Sequence, residues 1–388
     1  MGKHIGKSVK RVEDPRFIQG QGKYVANLKL PNMAHVAVLR SPHAHAKIKS
    51  INTDAAKAMD GVIDVFIGQD LIDGGVGKMP VIWQVPDNKI PDRWPLVPDK
   101  VRHVGDSVAA VVAEDPYVAA DALELIEVDY EVLEATIGAK ATTEDGKPLV
   151  HDEIENNISF KWGLGDREAC DKAFEEADHV VKLDLINQRM IANAMEPRAC
   201  AAQWTAATED MTVWTTSQNP HIIRFGLSAV TLPMLDEHKL RVISPDVGGG
   251  FGSKIFHYPE EVIIPWIAKE INRPCKWVAT RSESFMTDSQ GRDHVQNCKM
   301  ALTSDGIITG LYVELHADMG AYLSSIAPLI PTVICITLFS GLYKNPGIWG
   351  ETTGTLTNTV PVDAYRGAGR PEASYLVERL VDVAAQEL

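Results

Sequence analysis

Four glycines in five positions, Gly248-Gly249-Gly250-Phe251-Gly252, constrain this chain more than any other stretch. Backbone that bare admits positive φ angles and lets a ligand come within hydrogen-bond reach of the main chain. Amides presented at such a turn make an anion nest. Phe251, set among the glycines, can offer only an apolar face or a wedge. A β-rich stretch, 241–247, precedes the run, and a helix with Pro259 near its start follows it. Ser253 separates Gly252 from Lys254, so the Gly-Lys-Ser/Thr order of a phosphate-binding P-loop is missing, and the dinucleotide pattern does not fit either. Alone, the run is equally compatible with a tight strand-to-helix turn that binds nothing.

A second glycine turn, Tyr365-Arg366-Gly367-Ala368-Gly369-Arg370, opens onto a helix at Pro371 and Glu372. A helix N-terminus, two guanidinium forks and bare backbone together favour a phosphate or another polyoxyanion. The plainer alternative is a pair of arginines satisfying carboxylates at a buried turn. A third segment, Thr216-Ser217-Gln218-Asn219-Pro220-His221, follows an expected strand over 211–216. An amide at a strand end can both donate and accept, although such residues commonly bond their own turn. His43 and His45, spaced to share one face of a strand, lack a third ligand and read as structural. Glu196 beside Arg198, in Met195-Glu196-Pro197-Arg198, reads as an ion pair near a turn rather than a catalytic acid.

With 388 residues the chain is long enough for two or three domains. Its net charge of −14 opposes nucleic-acid phosphates and anionic membranes, and no basic run offsets it. Five cysteines (Cys170, Cys200, Cys275, Cys298, Cys335) without a Cys-x-x-Cys argue against a disulfide framework or a cysteine-held zinc or iron-sulfur site, and suit a reducing cytoplasm. The basic opening residues lead into no apolar segment of the secretory kind. The uncharged stretch 319–343 contains Pro328 and Pro331, which break a helix ladder, so a buried irregular segment is expected there rather than a membrane span.

The pattern is mixed α/β. Residues 16–134 read as one unit: strands over 33–39, 62–67, 107–113 and 128–130, a helix over 54–59 capped by Asp54, and another over 117–126 capped by Asp115 with Pro116 at its first position. Residues 135–157 are polar, aperiodic and linker-like. Strands over 180–187, 211–216 and 239–244 then alternate with helices over 168–177, 222–227 and 260–271. Ala373, Leu376, Val377, Leu380, Val381 and Ala384 recur at helical spacing to the end of the chain. That end carries no cap glycine, which suggests a truncated or split subunit.

Taken together, the three loops make the chain similar to the molybdenum-cofactor-binding large subunit of the xanthine oxidase family, in its carbon monoxide dehydrogenase-like or aldehyde oxidase-like branch. Arg16-Phe17-Ile18-Gln19-Gly20-Gln21-Gly22-Lys23-Tyr24, Leu39-Arg40-Ser41-Pro42-His43-Ala44-His45 and Val104-Gly105-Asp106-Ser107-Val108-Ala109 resemble the family's α/β hammerhead domain. The residues 195–198, 248–252 and 364–370 resemble its cofactor-binding part. The resemblance implies a hammerhead domain over 1–134, a linker over 135–157, and the first half of a molybdopterin-binding domain over 158–388.

It also implies roles. Gln218 hydrogen-bonds an oxo ligand of molybdenum. Gly249, Gly250, Phe251 and Gly252 line the metal and pterin. Tyr365, Arg366, Gly367, Ala368, Gly369 and Arg370 form the loop beside the metal, which is held through the pterin dithiolene and not by a side chain. The implied cofactor is molybdopterin, as its cytosine dinucleotide. The implied partners are an iron-sulfur subunit with 2Fe-2S clusters, an FAD subunit and, if the subunit is split, its C-terminal half, assembled as a dimer of heterotrimers. The implied reaction is hydroxylation of an aldehyde or N-heterocycle with water as oxygen donor.

Two departures qualify this. Gly367 stands where carbon monoxide dehydrogenases carry a copper-binding cysteine, which argues against copper. The family's general-base glutamate has no counterpart in this chain, so the chain alone is expected to be inactive. A true carbon monoxide dehydrogenase subunit, a cofactor-free assembly fragment of the same fold, and an ordinary nucleotide-binding protein stand as alternatives.

Overall fold

The computed structural model describes residues 4–388; Met1–Lys3, the start of the basic opening segment, lie outside the described residues. Three sheets organise the chain. The largest has seven strands in the order Leu240–Ile243, Asp210–Thr215, Ala199–Thr205, Cys275–Val278, Ala34–Arg40, Ser107–Ala113 and Val62–Ile67. Leu240–Ile243 and Cys275–Val278 each run parallel to one neighbour, and the other pairings are antiparallel.

The apolar run 107–113 lies inside this sheet, and every residue of it is buried. Ala110 and Val112 pack with the helix Glu260–Glu270, while Ala109, Val111 and Ala113 face the helix Pro116–Leu123. Alternation sends successive side chains to opposite faces, so a strand covered on both sides needs apolar residues throughout. Asp115 caps the second helix as expected, accepting from the Tyr117 amide at 2.8 Å. Asp54 does not cap its helix. Thr53 holds that position and Asp54 begins the helix Asp54–Lys57.

The second sheet has five strands in the order Ile158–Gly165, Gly347–Thr355, Ile308–Asp318, His294–Leu302 and His179–Asn187. Its inner face packs on the final helix, Arg370–Glu387, through Ala373, Leu376, Val377, Leu380 and Ala384. Four of these strands, and Ala199–Thr205 and Cys275–Val278 in the large sheet, have no counterpart among the expected elements. Gly354 shows why: a Cβ there would stand 2.2 Å from the Phe160 ring. A strand glycine kept for a neighbouring ring looks like a loop residue in sequence.

A three-stranded sheet (Lys100–Val101, Ala46–Asn52, Glu127–Val132) completes the first part of the chain. His43 and His45 lie in the bend before Ala46 rather than on a strand. His45 Nδ1 meets the Glu134 carbonyl at 2.7 Å, and the His43 ring packs edge-on to Tyr130. Residues 135–157 carry buried Thr136, Thr142, Val150, His151 and Ile154, and the seven-stranded sheet draws strands from both sides of them. Residues 319–336 are irregular and largely buried as expected, with short turns at Ala327–Leu329 and Ile330–Ile334, whereas 337–343 are largely exposed and Leu342 faces solvent. Among the described residues no helix is long and apolar enough to cross a membrane.

Candidate functional site

Gln218 leaves the strand Asp210–Thr215 on a loop fixed by its own backbone, whose amide donates to the Lys254 carbonyl at 2.8 Å. Its side-chain Oε1 accepts from the Gly252 amide at 3.0 Å. That bond leaves Nε2 as the amide's free donor. Gly250 sits against the same side chain, where a Cβ would be 2.3 Å from Oε1. The third sequence segment and the glycine run are therefore one structure.

The second glycine turn joins them. The Arg366 amide donates to the Phe251 carbonyl at 2.8 Å. A Cβ on Gly252, at φ +101°, would stand 2.4 Å from the Ala364 carbonyl oxygen. Phe251 itself holds a left-handed φ of +53°, which directs its ring outward to lie 5.8 Å from the Arg366 guanidinium. Gln218, Phe251, Arg366, Gly367 and Arg370 are all exposed on this face.

Glu196 and Lys254 hold the run from beneath. Glu196 Oε2 accepts from the Gly248 amide at 2.7 Å and from Lys254 Nζ at 3.1 Å. Burial lowers the Lys254 ammonium despite that carboxylate. The expected Glu196–Arg198 pair does not form, because each residue finds a closer opposite charge on another element. Arg198 donates to Glu260 Oε2 and Asp288 Oδ1, both at 2.6 Å, and stacks 3.7 Å from the centre of the Tyr258 ring. Arg40 donates to the other Glu260 oxygen at 2.5 Å. Burial alone would push the Glu260 carboxyl up; the two guanidiniums outweigh it and hold it well below the usual range. Tyr258 ties this base to the loop by donating to the Ser253 carbonyl at 2.6 Å.

The two glycine turns differ in one respect that the sequence left open. Residues 253–259 separate Gly252 from the helix Glu260–Glu270, whose first turn is already occupied by the Glu260 ion pairs. The run 248–252 thus offers bare amides and no helix end. The second turn does open a helix: Gly369, at φ +71°, is the residue before Arg370–Glu387. Arg366 and Arg370 form no ion pair among the described residues, and Arg370 donates to the Gly367 carbonyl of its own turn at 3.1 Å.

Arg292 and Glu372, which pin the second turn from behind, were not singled out from sequence. An arginine between Gly291 and Asp293 carries no motif, and Glu372 reads as an ordinary first-turn acid. All five cysteines are free and buried. Among the described residues no cluster of three or more His, Cys, Asp or Glu side chains is arranged to hold a metal ion.

The geometry can be tested against an organic, oxyanion-bearing group. Among the described residues, no protein acceptor takes the amides of Gly249, Gly250, Phe251 and Gly367. Four unpartnered donors beside two unpaired guanidiniums, on a surface too tight for a Cβ at Gly250, fit such a group.

Comparison with known proteins agrees. Residues 150–388 match the molybdopterin cofactor-binding domain, and residues 19–134 match the a/b hammerhead domain of aldehyde oxidase and xanthine dehydrogenase. The chain is 36% identical over 390 residues to the carbon monoxide dehydrogenase large chain of Hydrogenophaga pseudoflava, covering 97% of this chain and 48% of that one. It is 30% identical to the nicotinate dehydrogenase large molybdopterin subunit of Eubacterium barkeri, covering 99% of this chain and 86% of that one. Quinoline 2-oxidoreductase from Pseudomonas putida 86 superposes with a TM-score of 0.93 at 33% identity, over 99% of this chain and 48% of that one. The chain thus spans about half the length of the first and third of these, and most of the second. It belongs to the molybdopterin cofactor-binding family of the aldehyde oxidase and xanthine dehydrogenase type, with the hammerhead domain of that family before it.

Proposed function

We propose that this chain is the molybdenum-cofactor-binding part of a multi-subunit hydroxylase or dehydrogenase that oxidises an aldehyde or an N-heterocycle with water as oxygen donor. The observation that carries the reading is the convergence of residues 218, 248–252 and 364–370 through the Gly252–Gln218 and Arg366–Phe251 hydrogen bonds. The cofactor, when bound, supplies the two-electron chemistry. The chain's own residues bind and orient. Gln218 offers Nε2 to an oxo ligand or substrate oxygen, with its amide orientation set by Gly252. The amides of Gly249, Gly250 and Phe251 line the pterin. Tyr365, Arg366, Gly367, Ala368, Gly369 and Arg370 flank the metal, and the two guanidiniums, neither in an ion pair among the described residues, face the pyrophosphate of a cytosine dinucleotide.

Electrons leave through 2Fe-2S clusters and FAD on partner subunits. The general-base glutamate belongs to the C-terminal half of the molybdenum subunit, a partner chain if the subunit is split, and the whole assembles as a dimer of heterotrimers. The likeness to a carbon monoxide dehydrogenase large chain favours a second reading. It is opposed by Gly367, because residues 364–370 contain no sulfur side chain to hold copper.

Elemental and pterin analysis of the chain co-expressed with its partners tests the proposal. The expected result is stoichiometric molybdenum and pterin without copper. A folded complex free of molybdenum would overturn it, and copper bound in proportion to the protein would move the assignment to the second reading.

A further inference from the structure

Arg292 and Asp293 are consecutive non-glycine residues in the left-handed region, at φ +69° and +65°. L residues adopt that conformation at a cost, and a chain keeps two in a row only where the surroundings enforce it. Here they do. Gly291 and Met190 exchange backbone hydrogen bonds at 2.8 and 3.0 Å, and Arg189 Nε donates to Asp293 Oδ2 at 2.5 Å. Gly291 also abuts the second glycine turn so closely that a Cβ would stand 2.3 Å from Tyr365 Cβ. The bend drives Arg292, which is 6% exposed, beneath that turn. One arm of its fork, Nη1, donates to the Tyr365 carbonyl at 2.9 Å and to Glu372 Oε1 at 3.0 Å. The other, Nη2, donates to the Arg366 carbonyl at 2.9 Å. Glu372 is fully buried, and its second oxygen has no partner among the described residues.

A trans peptide points its N–H opposite to its C=O. Drawing the Tyr365 carbonyl back therefore turns the Arg366 amide forward, onto the Phe251 carbonyl. Drawing the Arg366 carbonyl back turns the Gly367 amide outward, where no protein group takes it. We propose that Arg292 is the positioning residue of this turn: its fork, held by Glu372, aims the Gly367 N–H at the bound cofactor and locks the turn to the glycine run before anything binds. This rests on reading the turn as part of the cofactor cradle. A rigid, pre-aimed donor avoids the cost of ordering the loop on binding.

Hydrogen exchange on the full chain without cofactor reads the positioning directly, at the Arg366 amide bonded to Phe251 and the Ala368 amide, which donates to the Tyr365 carbonyl at 2.7 Å. R292K keeps the charge but has one nitrogen where two arms are needed, so exchange at both amides should rise at least about tenfold, with the strand Ala199–Thr205 unchanged. Molybdenum content of the co-expressed complex should fall in parallel. R292Q/E372Q removes the buried charge along with the fork; it should fold while exchange stays fast. Wild-type protection in R292K, or its return in R292Q/E372Q, would show that Arg292 only neutralises Glu372 and would overturn the proposal. The two readings fail separately. A wild-type complex without molybdenum whose exchange still depends on Arg292 sinks the cofactor assignment alone. Full protection in R292K with a loaded wild type sinks the positioning role alone.

Discussion

Gly252 and Gln218 are 34 positions apart in the chain, and the amide of the first donates to the side-chain oxygen of the second at 3.0 Å. This one bond joins the end of a strand to the glycine run and fixes which end of the Gln218 amide faces outward. Gly250 lies in the same contact, so a side chain added there would have to displace that of Gln218.

Replacing Gly250 by valine should therefore expel the Gln218 side chain. We expect G250V to lose molybdenum and pterin while the strands of residues 34–113 stay folded. Metal analysis together with near-ultraviolet circular dichroism checks both halves of this statement, and normal cofactor retention would refute the placement of the run.

Q218A removes the outward donor without crowding the loop. Turnover should drop more than cofactor content does, by about 10²-fold or more if the amide stabilises charge that develops during reaction. Unchanged turnover per molybdenum would take Gln218 out of the site.

G252A tests the junction of the two glycine turns. An alanine at φ +101° is strained, and its Cβ meets backbone, the Ala364 carbonyl, at 2.4 Å. We expect a loss of roughly 1–3 kcal/mol in urea unfolding, with faster exchange at the Arg366 amide. Equal stability and exchange would mean that the turns are not locked together.

R198M should be more damaging than any loop change outside the cradle. It leaves half-buried Asp288 without its arginine and removes one of the two guanidiniums that compensate the fully buried Glu260. Breaking a buried pair from one side costs about 3–5 kcal/mol, readable as a shift in urea midpoint at neutral pH. A shift within error would show that Arg40 alone satisfies Glu260.

Two buried aspartates give opposite pH signatures. Burial pushes the Asp106 carboxyl up, but His103 and the Arg102 amide outweigh it and bring it down to about 2. Against an ordinary value of about 4, its contribution is complete above that pH and is lost as pH falls toward 2. Asp363 is raised to about 7 by burial, which outweighs the amides of Ile326 and Ala364 that donate to it. The native state then holds more protons than the unfolded one between about 4 and 7, so this group's contribution falls as pH rises through that window. D363N should flatten that slope and D106N the acid limb; identical profiles of unfolding free energy against pH would contradict the assignments.

Much of the site was legible because its signals are local. Glycine density, the Asp115-Pro116 helix start, the apolar run 107–113 and the spacing of the last helix each need only neighbouring residues to be read. Other features depend on partners far along the chain. Gly354 occupies a strand because Phe160 lies over it, and Glu196 serves the glycine run because Lys254, not Arg198, reaches it. Arg292 became visible only through the bend at 290–293, since nothing in its sequence context distinguishes it from a surface arginine.

By itself the sequence determined where the backbone is bare and where helices and covered strands run, since those follow from conformational freedom and apolar periodicity within a few residues. Only the tertiary structure decided that three distant turns share one surface, which charges neutralise each other beneath it, and which amides are left facing outward. Those outcomes depend on packing and on the pairing of buried charges, which distance in space governs and distance along the chain does not.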